Sequence, residues 1–160
     1  EKEVVLAAVQ DAGLALQFAS ARMRDDVEVV QAAVTQNGNA LNFASSRLQG
    51  DAELVLAAVA SPGAFQFASE ALRCDRNVVL AAVDLNGLCL EFASGQLKED
   101  REVVLTAVRQ DGLALEFAFE ELRADREIVM EAVQVNGLAL WDAHESLKAD
   151  REILANCRWG

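Results

Sequence analysis

One unit recurs about every 25 residues along the whole chain. Aligned on its apolar segment, it reads EVVLAAV from Glu3, EVVQAAV from Glu28, ELVLAAV from Glu53, NVVLAAV from Asn77, EVVLTAV from Glu102 and EIVMEAV from Glu127. A seventh start, EILANCR, stands at Glu152. The second half of the unit reads LALQFAS, NALNFAS, AFQFAS, LCLEFAS, LALEFAF and LALWDAH. A fixed period of this size dictates an array in which each unit covers the apolar face of its neighbour.

The first half of each unit has helical spacing. Val5, Ala8 and Val9 recur as Val30, Ala33 and Val34, then as Val55, Ala58 and Val59. Steps of three and four put them on one buried stripe, and the strict alternation a strand needs is missing. Asp26, Asp51, Asp75, Asp100, Asp125 and Asp150 precede these segments, where an aspartate caps the first-turn N–H groups. The second half is expected to be a helix as well, with Leu16, Ala19 and Met23 on one stripe, Leu14 and Phe18 on an adjoining one, and Arg24, Arg73, Lys98, Arg123 or Lys148 at its end.

Asn37-Gly38, Asn86-Gly87, Asp111-Gly112 and Asn136-Gly137 mark the joint, with Asn or Asp as N-cap and Gly as a turn residue. The third unit is one residue short, and Ser61-Pro62 in these columns reads as the same helix start. A tight joint makes consecutive helices antiparallel. The expected fold is therefore all-α: an α-solenoid of six antiparallel helix pairs plus a short last helix. It forms a single domain over residues 1–160, with units starting near Glu1, Asp26, Asp51, Asp75, Asp100 and Asp125 and a partial unit from Asp150. Asp142 in a phenylalanine column and Arg158 in a valine column suit a terminal cap.

The stretch DREVVLTAVRQDGLALEFAFEELRADREIVMEAV, from Asp100 to Val133, resembles the repeat family catalogued as domain of unknown function 4116, and the likeness extends over essentially the whole chain. The resemblance implies a helical repeat fold. That family has no assigned activity, so it implies no catalytic residue and no cofactor.

Charge narrows the partners. Twenty-six acidic side chains against 14 basic ones give a net charge of −12, which repels a phosphate backbone, so no nucleic acid partner is expected. The uncharged, largely apolar run Leu54 to Ser69 is too short to span a bilayer and contains Pro62 and Gly63. Three cysteines build no closed disulfide framework, which suits a reducing compartment or an organelle; a targeting segment upstream of Glu1 stays open, and localisation is unknown.

Catalytic chemistry finds little purchase. Glycines stand singly, without the clustering that a phosphate loop needs. His144 is the lone histidine; on a helix, Asp142, His144 and Ser146 point in different directions and do not converge. Cys89 and Cys157 fill alanine columns and Cys74 lies in a loop, so neither metal nor cofactor is expected.

Two columns change character near the C-terminus. Ser20, Ser45, Ser69 and Ser94 give way to Phe119, and Gln17, Asn42, Gln66, Glu91 and Glu116 give way to Trp141. The reading is a non-enzymatic scaffold for protein–protein interaction, with Phe119 and Trp141 as anchors and Glu116, Glu120 and Glu121 as an acidic rim for a basic partner. A cap core packed against Trp159 competes for the aromatic residues. Alternative readings are a peripheral subunit stabilising a larger organellar or membrane-associated complex and, more remotely, a ligand-binding or enzymatic groove near His144.

Overall fold

Each repeat aspartate meets the free N–H groups of a first helical turn, and the computed structural model, which describes residues 1–159, builds a helix from every one of those points. The long helices are α1 (Lys2–Asp11), α2 (Val27–Gln36), α3 (Ala52–Ala58), α4 (Arg76–Leu85), α5 (Arg101–Gln110), α6 (Arg126–Val135) and α7 (Arg151–Asn156). The Asp26 carboxylate accepts from the N–H groups of Glu28 and Val29 at 3.1 and 3.2 Å, and Asp125 accepts from Glu127 and Ile128 at 2.9 and 3.2 Å. Among the described residues there is no strand, and the repeats form an all-α solenoid.

The second half of the unit is helical as expected, but in two short pieces rather than one continuous α-helix. It opens as a 3₁₀ helix, for example Gly13–Phe18, Gly38–Phe43 and Gly112–Phe117. Where the joint carries Asn or Asp, its side chain caps this segment; behind Ala12 the same winding forms without a side-chain acceptor. Asn37 Oδ1 accepts from the N–H of Asn39, and Asp111 from Leu113, both at 3.0 Å, so the turn closes over two residues. Poor hydrogen-bond geometry limits the length of 3₁₀ segments, and this one ends at an extended alanine, with φ −72° and ψ 154° at Ala19. A single α-turn follows, such as Ala21–Arg24, Ser46–Gln49 or Glu120–Arg123.

The joint glycines serve the neighbouring repeat. A Cβ on Gly38 would overlap the carbonyl oxygen of Ala58, and one on Gly112 that of Ala132. The Gly38 N–H donates across the joint to Ser61 Oγ at 2.8 Å, as Gly13 donates to Gln36 Oε1 at 2.6 Å. Ser61 is thus no helix cap: its hydroxyl serves the repeat before it. The residue missing from the third unit is absorbed by Gly63, whose φ of +78° opens a shortened 3₁₀ helix, Ala64–Phe67.

The chain divides into two compact units, Glu1–Val78 and the part from Val79 onward. In the first, α2 packs between α1 and α3; in the second, α6 packs between α5 and α7. Core residues come from the expected valine column, with Val30, Val55, Val79, Val104 and Val129 fully buried. They come equally from Leu16, Leu41, Phe65, Leu90 and Leu115. The phenylalanine column beside them is outer: Phe18 is 84% exposed and Phe43, Phe67, Phe92 and Phe117 are half-buried.

Ion pairs link successive repeats. Lys2 Nζ lies 2.8 Å from both Asp26 and Glu28; Arg101 meets Asp125 at 3.1 Å and also Glu127; Arg126 meets Asp150 at 3.2 Å and also Glu152. Such exposed pairs contribute little individually. They nevertheless act on the cap itself: the Lys2 ammonium, with the Val29 N–H, holds the Asp26 carboxyl below its ordinary value.

Candidate functional site

The serine column has a structural task that helical periodicity hides. Ser20, Ser45 and Ser69 each start the single α-turn, and their hydroxyls accept the N–H of Met23, Leu48 and Leu72 at 3.4, 3.3 and 3.4 Å. The N–H of the same column donates to the preceding repeat: Ser45 to the Arg24 carbonyl at 2.9 Å, Phe119 to that of Lys98 at 3.2 Å, and His144 to that of Arg123 at 2.9 Å. Phe119 therefore stands at a cap position with no side-chain acceptor, and its ring is 42% exposed.

Phe119 and Glu121 come together. With Glu99 and Leu122 they line an open depression of about 400 Å³. Glu99 was missed by the sequence reading; the signal was its column, which holds Asp25 three repeats earlier. Glu116, Glu120 and Trp141 stand outside this lining. Glu120 faces His144 instead, with Oε1 at 3.7 Å from Nε2. Trp141 is 72% exposed, in a column exposed at Gln17, Asn42, Gln66, Glu91 and Glu116 too. Trp159 borders a separate depression with Val135, Asn136 and Arg158.

The expectation that His144 and Ser146 diverge is corrected. His144 is extended, with φ −60° and ψ 145°, and caps the turn Glu145–Leu147. Its Nδ1 accepts the Ser146 N–H at 3.2 Å and lies 2.8 Å from Ser146 Oγ. The imidazole thus takes over the work of the serine hydroxyl in this column. Asp142 is the strained carboxyl of the region: burial and the nearby Glu116 charge push its pKa up against the pull of Arg123 and Lys148.

The end of the last repeat is closed by main chain. The Arg158 carbonyl accepts the Gly137 N–H at 2.6 Å, and the Arg158 N–H donates to the Val133 carbonyl at 2.9 Å. Cys89 is buried in its alanine column, and burial pushes its thiol up to about 12. Among the described residues no three metal-ligating side chains gather, and no helix is long and apolar enough to cross a membrane.

Comparison with curated proteins and with solved structures returned no match. The family model described as a domain of unknown function (DUF4116) matches residues 1–49, 51–98, 75–123, 100–148 and 125–156, each match longer than a single unit and most overlapping the next. The chain, a helical repeat array from end to end of those matches, belongs to that family.

Proposed function

We propose that this chain is a non-enzymatic scaffold whose C-terminal repeats dock a basic protein partner. The observation that carries the reading is the exposure of Trp141 and Phe119, at 72% and 42%, in columns that hold small or polar residues in the other repeats. Large aromatic side chains left in water cost stability and are the usual anchors of a binding hot spot. Glu116, Glu120 and Glu121 add negative charge to the same stretch, which speeds encounter with a basic partner and weakens as salt rises. The exposure of Trp141 argues against a cap core as its purpose. His144 and Ser146 are occupied in capping a turn, a structural use that supports assigning them no catalytic role.

A subunit role within a larger assembly would use the same surface and is one form of this function. Affinity capture from native extract, with Trp141→Gln beside the unaltered chain, tests the reading. Glutamine is what the first and third repeats carry in this column. The expected result is a basic protein retained by the unaltered chain and lost with the variant, at an unchanged melting temperature. An identical retained set overturns the docking surface; a large loss of stability would identify Trp141 as a packing residue.

A further inference from the structure

The first compact unit contains a closed version of the Phe119 depression. There the Asp25 carboxylate accepts from Arg47 Nε at 3.0 Å and from the Ser45 hydroxyl, while Arg47 Nη2 donates to the Asp25 carbonyl at 2.7 Å. These contacts hold the Asp25 carboxyl below its ordinary value, the Ser45 hydrogen bond first and the Arg47 guanidinium second. Three repeats on, the same columns hold Glu99 for Asp25, Phe119 for Ser45 and Glu121 for Arg47. Relative to the first unit an acid recurs, a second acid stands in place of the guanidinium and an aromatic ring in place of the hydroxyl, while the repeats between hold Gly50 and Cys74 in the first of these columns and Ala71 and Gln96 in the guanidinium column. Among the described residues neither the Glu99 nor the Glu121 carboxylate has a hydrogen-bond or ion-pair partner; the Glu99 N–H donates to the Gln96 carbonyl.

We propose that the depression lined by Glu99, Phe119, Glu121 and Leu122 receives an arginine side chain of the partner protein, in the role that Arg47 plays toward Asp25 within the chain. The proposal rests on the docking reading above and names the residue type that the surface takes. The chemistry is complementary at each wall. Two carboxylates suit a planar guanidinium, which offers N–H groups in more than one direction, whereas an ammonium is a single point of charge. The Phe119 ring adds a face on which a guanidinium stacks. Leu122 and the ring together cover the aliphatic stem of the side chain. A cation seated in the depression meets a carboxylate from each of Glu99 and Glu121.

The test is an amide NMR titration of the full chain with a blocked Gly-Arg-Gly tripeptide and its Gly-Lys-Gly counterpart. The arginine peptide is expected to move the signals of Glu99, Phe119, Glu121 and Leu122, and to saturate at about tenfold lower concentration than the lysine peptide, a margin typical of a forked over a point-like contact. Glu121→Arg should restore the internal pair seen at Asp25 and abolish the response while the spectrum stays dispersed. Glu91→Arg, the same reversal of charge elsewhere on the second unit, should leave the response intact.

A response that survives Glu121→Arg, equal saturation by the lysine peptide, or shifts spread evenly over all acidic residues would each overturn the arginine assignment. A silent titration, with a basic partner still captured and lost on Trp141→Gln, overturns this assignment and leaves the docking reading standing. An arginine response with no captured partner upholds the pocket and overturns the wider surface.

Discussion

Replacing Gly112 with alanine inverts the sign of a substitution that usually stabilises. Where the backbone permits it, glycine to alanine restricts the unfolded chain and gains about 0.4–1 kcal/mol. Gly112 has an ordinary negative φ, so its conformation raises no objection. The obstacle lies in the next repeat. An added Cβ would overlap the Ala132 carbonyl oxygen and stand 3.0 Å from the Asn136 nitrogen and 3.2 Å from the Ala132 carbonyl carbon. All three are main-chain atoms of α6 or its cap, so no side chain can rotate away, and the repeats must part. Overpacking of this kind costs about 1–3 kcal/mol. Gly95 is the control, because a Cβ there meets nothing nearer than the Phe119 ring at 4.0 Å. Gly95→Ala, at the first position of an α-turn, should gain up to about 1 kcal/mol. Urea unfolding followed by circular dichroism reads both, and with a slope of about 1–3 kcal/mol per molar the two midpoints should separate by roughly 1 M. A midpoint for Gly112→Ala equal to or above that of the unaltered chain would refute the close-approach account of this glycine column.

Phe65→Ala should cost about 3–5 kcal/mol in the same assay, because a fully buried ring leaves a cavity, and half-buried Phe92→Ala should cost clearly less. Asp142→Asn should raise the melting temperature at pH 7 and not at pH 3: its carboxyl is raised above 3.8, so the penalty of ionising it is absent below that value and present above the folded one. Asp26 and Asp125 act the other way, since their folded values are depressed; their contribution is present above pH 3.8 and is lost as the pH falls below it, so acid titration of the unaltered chain should show stability dropping there. Phe119→Ser should restore the missing cap and gain about 0.5–1 kcal/mol while reducing partner capture, and a loss of stability instead would make the ring a packing residue.

The period and the aspartate caps were legible in the sequence because each is a local rule: apolar steps of three and four, and an acceptor before a helix. The 3₁₀ winding was not. LALQF carries the same apolar spacing for either helix, and the segment winds as 3₁₀ behind Asn37 or Asp111 and equally behind Ala12, which offers no side-chain acceptor. That misreading propagated. Ser45 looked like one face of a continuous helix and is a cap; Phe18, expected on a stripe adjoining that of Leu16, is exposed, and the core place belongs to Leu16. His144 and Ser146 looked divergent and meet, because the segment between them starts from an extended residue. Phe119 and Glu121 were legible as departures from their columns. Glu99 was not, since its column reads Asp25, Gly50, Cys74 and Ala124 in the other repeats and sets no rule to depart from; its significance lies in Arg47, which pairs with Asp25 in the first unit and whose place Glu121 takes beside Glu99.

A repeat array carries its own controls, since each unit states what its neighbours do at the same position. Departures then fall into two classes. Some bring compensation: Ser61 loses a cap and accepts the Gly38 N–H, Glu131 replaces alanine and pairs with Arg109 at 3.0 Å, and the Arg158 main chain closes the last repeat. These are alternative solutions to the folding problem and need no further cause. Others bring none. Phe119 surrenders a cap and leaves its ring in water, Glu121 puts an unpaired acid where Arg47 stands in the first unit, and Trp141 exposes an indole where glutamine, asparagine or glutamate serves elsewhere. All of them lie between Glu99 and His144. Local rules broken without repayment inside the fold are expected where a sequence answers to something outside it. The concentration of such breaks in the fifth and sixth repeats, more than the exposure of any one aromatic residue, is what directs the search for a partner to that stretch.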